Sequence, residues 1–134
     1  MAETHVLIVG AGITGLLLAQ ALKKHNVPFT VFERDPYADY RGPGWGLALH
    51  GALGTFLSLL PDELVGRRPE TYVDPVAAAR GEKGRFPFFD LSTGERRWEN
   101  VSPSRVRMSR EKLRRLLMHG IEVQVCQGEY WYGT

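Results

Sequence analysis

Gly10-Ala11-Gly12-Ile13-Thr14-Gly15 lies between the apolar run His5-Val6-Leu7-Ile8-Val9 and the stretch Leu16-Leu17-Leu18-Ala19-Gln20-Ala21-Leu22. The reading of this junction decides the fold. His5 to Val9 is β-branched and apolar at consecutive positions, which predicts a strand buried on both faces of a parallel sheet. From Thr14 to His25 the apolar residues repeat as in a helix, with Gln20, Lys23, Lys24 and His25 polar toward its end. Lys23 and Lys24 suit the negative end of the helix dipole. Asn26 fits a left-handed cap and Pro28 prevents continuation, so the helix should stop near His25. Phe29-Thr30-Val31-Phe32-Glu33 reads as a second strand. Strand, glycine turn, helix and strand make a βαβ unit.

The glycines match G-x-G-x-x-G, and each has a mechanical task in a dinucleotide site. Gly10 permits the tight turn, Gly12 lets backbone approach a pyrophosphate, and Gly15 lets the helix pack against the strand. The helix N-terminus that follows presents unpaired amides to an anion. Glu33, eighteen residues after Gly15, ends the second strand, where its carboxylate can accept both ribose hydroxyls of an adenosine and would repel a 2′-phosphate. A glycine turn joining strand to helix, with Glu33 merely solvated, is the plainer reading. The complete context of strand, helix, second strand and terminal acid favours dinucleotide binding instead. The fingerprint does not separate FAD from NAD.

Outward from this unit, Asp35 to Gly46 is rich in Gly, Pro, Asp and Tyr and reads as loop. Leu53, Phe56, Leu57 and Leu60 predict a short helix before Pro61, and Gly66 to Arg85 reads mostly as loop. Phe86 to Leu91, a turn at Ser92-Thr93-Gly94, and Glu95 to Glu99 predict a hairpin. Arg105 to Met108 is a candidate strand. Ser109 then caps a helix starting at Arg110, with Leu113, Leu116 and Leu117 on one face and Gly120 at its stop. Ile121, Val123 and Val125 alternate as in a further strand. The expected class is α/β: a Rossmann-like fold with a parallel sheet and a small added hairpin, in one domain spanning 1–134.

The chain has 134 residues, 43% hydrophobic and 24% charged, the composition of a globular domain and not of a disordered or fibrous chain. Its apolar runs fall short of the roughly 18 residues of a membrane span, and the start carries no basic signal-peptide region. With a lone Cys126 offering no intrachain disulfide, these features predict a cytoplasmic protein. The net charge of +2 conceals an uneven distribution: Arg96 to Arg115 holds eight basic and two acidic residues, leaving nine basic and thirteen acidic elsewhere. No nucleic-acid motif accompanies that basic stretch, so nucleic acid is not an expected partner. His50 and His119 have no ligand partner at metal spacing, which predicts no metal site. Ser58 and Cys126 lack a nucleophile motif. Packing, at the core or an edge, is the default for Trp45, Trp98 and Trp131.

Three stretches carry a resemblance to a known family: His5 to Arg34, the loop Arg41-Gly42-Pro43-Gly44-Trp45-Gly46-Leu47, and the run from Arg105 to Leu117. Together they resemble the FAD-dependent monooxygenases of the flavoprotein aromatic hydroxylase type, or class A flavin monooxygenases. The resemblance implies FAD as cofactor, with Glu33 on the adenosine ribose and Gly44 and Gly46 in a loop near the flavin. It places Arg110 on FAD, as the arginine of an R-x-x-L-x-x-x-L pattern with Leu113 and Leu117, and Arg41 near the pyrophosphate. Arg96, Arg97, Arg107, Arg114 and Arg115 read as surface charges. The family uses NAD(P)H and O2 to hydroxylate or epoxidise a small organic substrate, and the flavin carries the oxidation chemistry. No residue here is assigned as a catalytic acid or base.

Full-length members of the family are longer and carry later Asp-Gly and Gly-Asp motifs, whereas this sequence has no Asp beyond Asp90. The chain is therefore expected to be a shortened member, incomplete as an FAD domain, with an open sheet edge available to another chain. Weak stability follows from that expectation. Two other functions stand beside the first: an NAD-binding dehydrogenase or reductase domain, and a non-catalytic remnant.

Overall fold

The computed structural model describes residues 4–37, 40, 42, 45–49, 51–82, 86–100 and 106–126. Strand β1 (Val6–Val9) leads into helix α1 (Ile13–Lys24) and strand β2 (Phe29–Glu33). Strand β3 (Gly46–Leu49), helices α2 (Leu53–Ser58) and α3 (Asp62–Arg67), a 3-10 turn (Arg68–Thr71) and helix α4 (Pro75–Ala79) follow. The remainder comprises β4 (Phe86–Phe89), β5 (Arg96–Asn100), β6 (Val106–Ser109), α5 (Arg110–Leu117) and β7 (Val123–Val125). This is the Rossmann-like α/β fold expected, with a parallel sheet of order β1-β2-β7 and an antiparallel β4–β5 hairpin.

The first unit forms for the reasons its sequence suggested. Val6 pairs with Phe29 and Val9 with Phe32 in parallel register, and Val31 pairs with Val123 of β7. Asn26, at φ 54°, ends α1 in the left-handed region. Its N–H donates to the Lys23 carbonyl at 3.1 Å, and that of Val27 to the Leu22 carbonyl at 2.9 Å. These two bonds satisfy carbonyls that the helix end leaves open, in the pattern of a Schellman cap.

The core lies where α1 and α5 pack on one face of the sheet: Ile8, Leu16, Ala19, Val31, Leu113, Leu116 and Leu117 are all buried. Each fully buried leucine contributes about 1.5–3 kcal/mol relative to exposure. Gln20, which reads as polar, is wholly buried, and its Nε2 donates to the carbonyls of Leu117 at 2.7 Å and His119 at 2.9 Å. It thereby caps the C-terminal end of α5. Lys23 adds a bond to the Gly120 carbonyl at 3.0 Å, while Lys24 caps α2 through the carbonyls of Ser58 and Leu60.

Four expectations need correction or extension. Strand β1 is buried on one face only, since Leu7 is 65% and Val9 90% exposed; α1 and α5 share one side, and no described element covers the other. Strand β3, antiparallel to β6 with Gly46 opposite Ser109 and Leu49 opposite Val106, begins at the last residue of the Asp35 to Gly46 loop and is not expected from the sequence. The segment from Gly66 to Arg85, also read as loop, contains the end of α3, the 3-10 turn and α4. Trp45, expected to pack, is 90% exposed, whereas Trp98 packs at the hairpin edge with its ring 4.9 Å from that of Phe88.

Candidate functional site

The C-terminal ends of β1 and β2 open into a cavity of about 280 Å³ whose walls include Gly10, Ala11, Gly12, Glu33, Arg110 and Arg114. Gly10 adopts φ +103°, a region that side chains strongly disfavour, and its N–H donates to the Phe32 carbonyl at 2.7 Å. That single residue turns the chain from strand toward helix. A Cβ on Gly12 would meet no heavy atom within 4 Å, so its backbone faces open space. A Cβ on Gly15 would collide with the Gly10 carbonyl oxygen and reach Ile8 Cγ2 at 3.2 Å. Gly15 thus serves helix-to-strand packing below the cavity. Gly12 caps α1 with no side-chain bond to its first amides, which leaves that positive end to the cavity. Such an end favours an anion by about 0.3–1 kcal/mol at an exposed site.

Glu33 forms the opposite wall, at the end of β2. Its Oε2 accepts the Ala11 N–H at 2.8 Å, and its Oε1 accepts those of Arg34 at 2.7 Å and Asp35 at 3.0 Å. Burial alone would raise this carboxyl, but the amides of Asp35, Ala11 and Arg34 together outweigh it and hold the group below its ordinary value. A carboxylate has about four acceptor positions, and three are occupied by main chain. Among the described residues, Glu33 therefore keeps room for about one further donor, on the side of the cavity.

The third wall comes from α5. The Ser109 side chain accepts from the Lys112 N–H and starts the helix directly after β6, so Arg110, its first residue, stands at the cavity. Arg114 follows one turn later on the same side of the helix. It reads as a surface charge in the sequence, and the structure corrects this: only 18% of its side chain is exposed. Its Nε donates to the Ala11 carbonyl at 2.8 Å, and its Nη2 lies 3.7 Å from Glu33 Oε2. The available signal was the spacing of four from Arg110, which repeats a position on one helix face. Arg96, Arg97 and Arg115, by contrast, are exposed and paired with Glu99, Asp90 and Glu111.

The structure thus gathers Gly10, Gly12, Glu33 and Arg110 around one cavity. Gly46 does not line it; it pairs with Ser109 in the adjoining β3–β6 ladder. Arg41 and Gly44 lie outside the described residues. Among the described residues, no group of three His, Cys, Asp or Glu is placed to hold a metal, and no helix is long and apolar enough to cross a membrane.

Residues 8–38 match the family model of an NAD(P)-binding Rossmann-like domain. The chain is 62% identical over 120 residues to a "Probable FAD-dependent monooxygenase" of Arthroderma benhamiae, across 90% of this chain and 28% of that protein. It is 40% identical over 135 residues to the FAD-dependent monooxygenase tazP of Aspergillus terreus, across 90% of this chain and 34% of that protein. Over most of its length, then, the chain is similar in sequence to proteins named FAD-dependent monooxygenase. It spans about a third or less of the length of these relatives. Klebsiella pneumoniae HpxO, solved with FAD and uric acid, shares the fold at TM-score 0.63 and 21% identity, over 91% of this chain and 30% of that one.

Proposed function

We propose that this cavity receives the adenosine diphosphate half of FAD, in a protein that hydroxylates or epoxidises a small organic substrate with NAD(P)H and O2. The observation that carries the reading is the composition of one cavity: an open helix N-terminus, a carboxylate at the β2 end and an arginine at the start of α5. Those three features suit, in turn, a pyrophosphate, a ribose hydroxyl and a second contact on the phosphates. The sequences of relatives named FAD-dependent monooxygenase, matched over most of this chain, support FAD as the dinucleotide.

Under this reading, Gly12 admits the pyrophosphate close to the backbone because no Cβ stands in the way. The first amides of α1 bind it, and Arg110 neutralises part of its charge. Glu33, held ionised by three amides, accepts from the ribose and disfavours a 2′-phosphate. The redox chemistry is supplied by the flavin when bound; the residues described here bind and orient its nucleotide end. The NAD(P)-binding description of the model matching residues 8–38 favours a second reading, an NAD-dependent reductase domain, over those residues alone.

Titrating the purified chain with FAD, ADP, FMN and NADH, by calorimetry or flavin fluorescence, separates these readings. FAD and ADP are expected to bind, while FMN, which lacks the adenosine, is expected not to. Binding of NADH in preference to FAD would overturn the flavin reading in favour of the reductase. Binding of none of the four would leave the remnant.

A further inference from the structure

We infer that Arg114 is a positioning residue that aims the one remaining acceptor position of Glu33 at the adenosine ribose; the inference rests on the nucleotide reading above. Ala11 lies between two glycines, one at φ +103° and the other with open space beside it; its methyl group is fully buried in the core, which seats the residue but leaves the orientation of its peptide groups to their hydrogen bonds. The structure restrains it at both ends of one residue. The Ala11 N–H donates to Glu33 Oε2, and the Ala11 carbonyl accepts from Arg114 Nε, each at 2.8 Å. Arg114 Nη2 closes the ring at 3.7 Å from that same Oε2.

The ring acts on the oxygen that matters. Oε1 is taken by the amides of Arg34 and Asp35, whereas Oε2, among the described residues, holds only the Ala11 amide as a hydrogen-bond donor. The remaining acceptor position is therefore on Oε2, the oxygen beside the guanidinium. Backbone amides already keep Glu33 ionised, so Arg114 is not required for the charge. Its contribution is direction: it fixes Ala11, and through Ala11 and its own proximity it fixes the carboxylate plane. It also joins α5, which carries Arg110, to the glycine loop across 103 positions of sequence.

A guanidinium can donate to two acceptors in one plane, whereas a lysine ammonium is a single flexible point charge. Arg114→Met removes both contacts, and Arg114→Lys can retain only one. The test compares ADP with 2′,3′-dideoxy-ADP, which lacks both ribose hydroxyls, as ligands of the full chain. For wild type, ADP should bind at least about tenfold more tightly, the scale of a hydrogen bond to a charged group. In Arg114→Met this preference should collapse to about twofold or less; loss of a cation from the cavity wall weakens both diphosphate ligands alike and cancels in the ratio. Arg114→Lys should fall between them, and it serves as the deciding variant should Arg114→Met not fold.

Equal weakening of both ligands with the preference intact would show that Arg114 serves only the fold or the phosphates, and would overturn the inference. A retained tenfold preference in either folded variant would overturn it as well. If wild type bound ADP but without preference over the dideoxy ligand, Glu33 would not be reading the ribose and the inference would fail while nucleotide binding stood. Failure of wild type to bind ADP or FAD at all would overturn both this inference and the cofactor reading.

Discussion

Gly15→Ala is a single methyl group added at the base of the cavity, and the structure states where that group must go. A Cβ there collides with the carbonyl oxygen of Gly10 and stands 3.2 Å from Ile8 Cγ2. The Gly10 carbonyl has little freedom to retreat, because Gly10 is fixed at φ +103° and its N–H is bonded to Phe32 at 2.7 Å. Relief must come from moving the first turn of α1 off β1 or from bending the β1–β2 ladder. Overpacking of this kind costs about 1–3 kcal/mol. Against it stands the helical preference of Ala over Gly, about 1 kcal/mol at most in a helix interior. The net expectation is a loss of about 1–2 kcal/mol and a Tm lower by roughly 3–10 °C in a domain of this size. Gly66→Ala in α3 is the paired control, since a Cβ there meets nothing within 4 Å. It should hold or raise Tm by a few degrees, on the order of the same propensity gain. Thermal melts followed by far-UV circular dichroism measure both. A Gly15→Ala variant as stable as wild type, or two variants shifting in the same direction, would refute the steric argument.

Gln20→Leu removes the donor that serves the carbonyls of Leu117 and His119. It also deletes a buried Oε1 that has no partner among the described residues, so the expected loss is moderate, about 1–2 kcal/mol, read as a lower urea midpoint. Asp90 is held down to about 2 from an ordinary 3.8, by hydrogen bonds from the Ser92 hydroxyl and Arg97. Because the folded value is depressed, its contribution to the hairpin is complete above the ordinary value and is lost as pH falls through about 2. Trp98 fluorescence should report that acid transition, and Asp90→Asn should abolish it. Glu33 is likewise held below its ordinary value of 4.5, so the preference for ADP over dideoxy-ADP, in which the titration of the ligand's own phosphate cancels, should stay level as pH falls to that value and decline only beneath it; an earlier decline of this ratio, measured by calorimetry, would contradict the amide network around the carboxylate.

The parts of the fold that were legible in the sequence are those whose causes are local. A buried strand, three spaced glycines, a helix and an Asn-Val-Pro exit determine their own geometry within some thirty residues, and Asn26 does take the left-handed conformation expected of it. The Ser92-Thr93-Gly94 turn and the Ser109 cap are equally local. Strand β3 is not legible locally, because Leu47-Ala48-Leu49 is too short to declare itself among glycines and prolines. It becomes a strand only by pairing with β6, about sixty residues later. Helix α4 carries a local start signal: Asp74 accepts from the Ala77 N–H ahead of Pro75 at the first helical position, a start arrangement that proline tolerates well.

The candidate site divides along the same line. Gly10, Gly12 and Glu33 could be placed from one βαβ unit, whereas the arginine wall depends on where α5 lies relative to α1. That placement is made at two points far apart on the helices: Gln20 and Lys23 grip the C-terminal end of α5, and Arg114 grips Ala11 at the other. None of these bonds follows from periodicity, because a buried glutamine and a cavity-facing arginine have the same composition as their solvated counterparts. Once α5 is held at both ends, however, its phase decides the rest. Leu113, Leu116 and Leu117 must face the core, and a helix so oriented carries Arg110 and Arg114 together to the cavity. The basic stretch from Arg96 to Arg115 is accordingly not one electrostatic feature. The charges of Arg96, Arg97 and Arg115 are paired at the surface, while those of Arg110 and Arg114 are set by hydrophobic packing on the adjacent face of their helix.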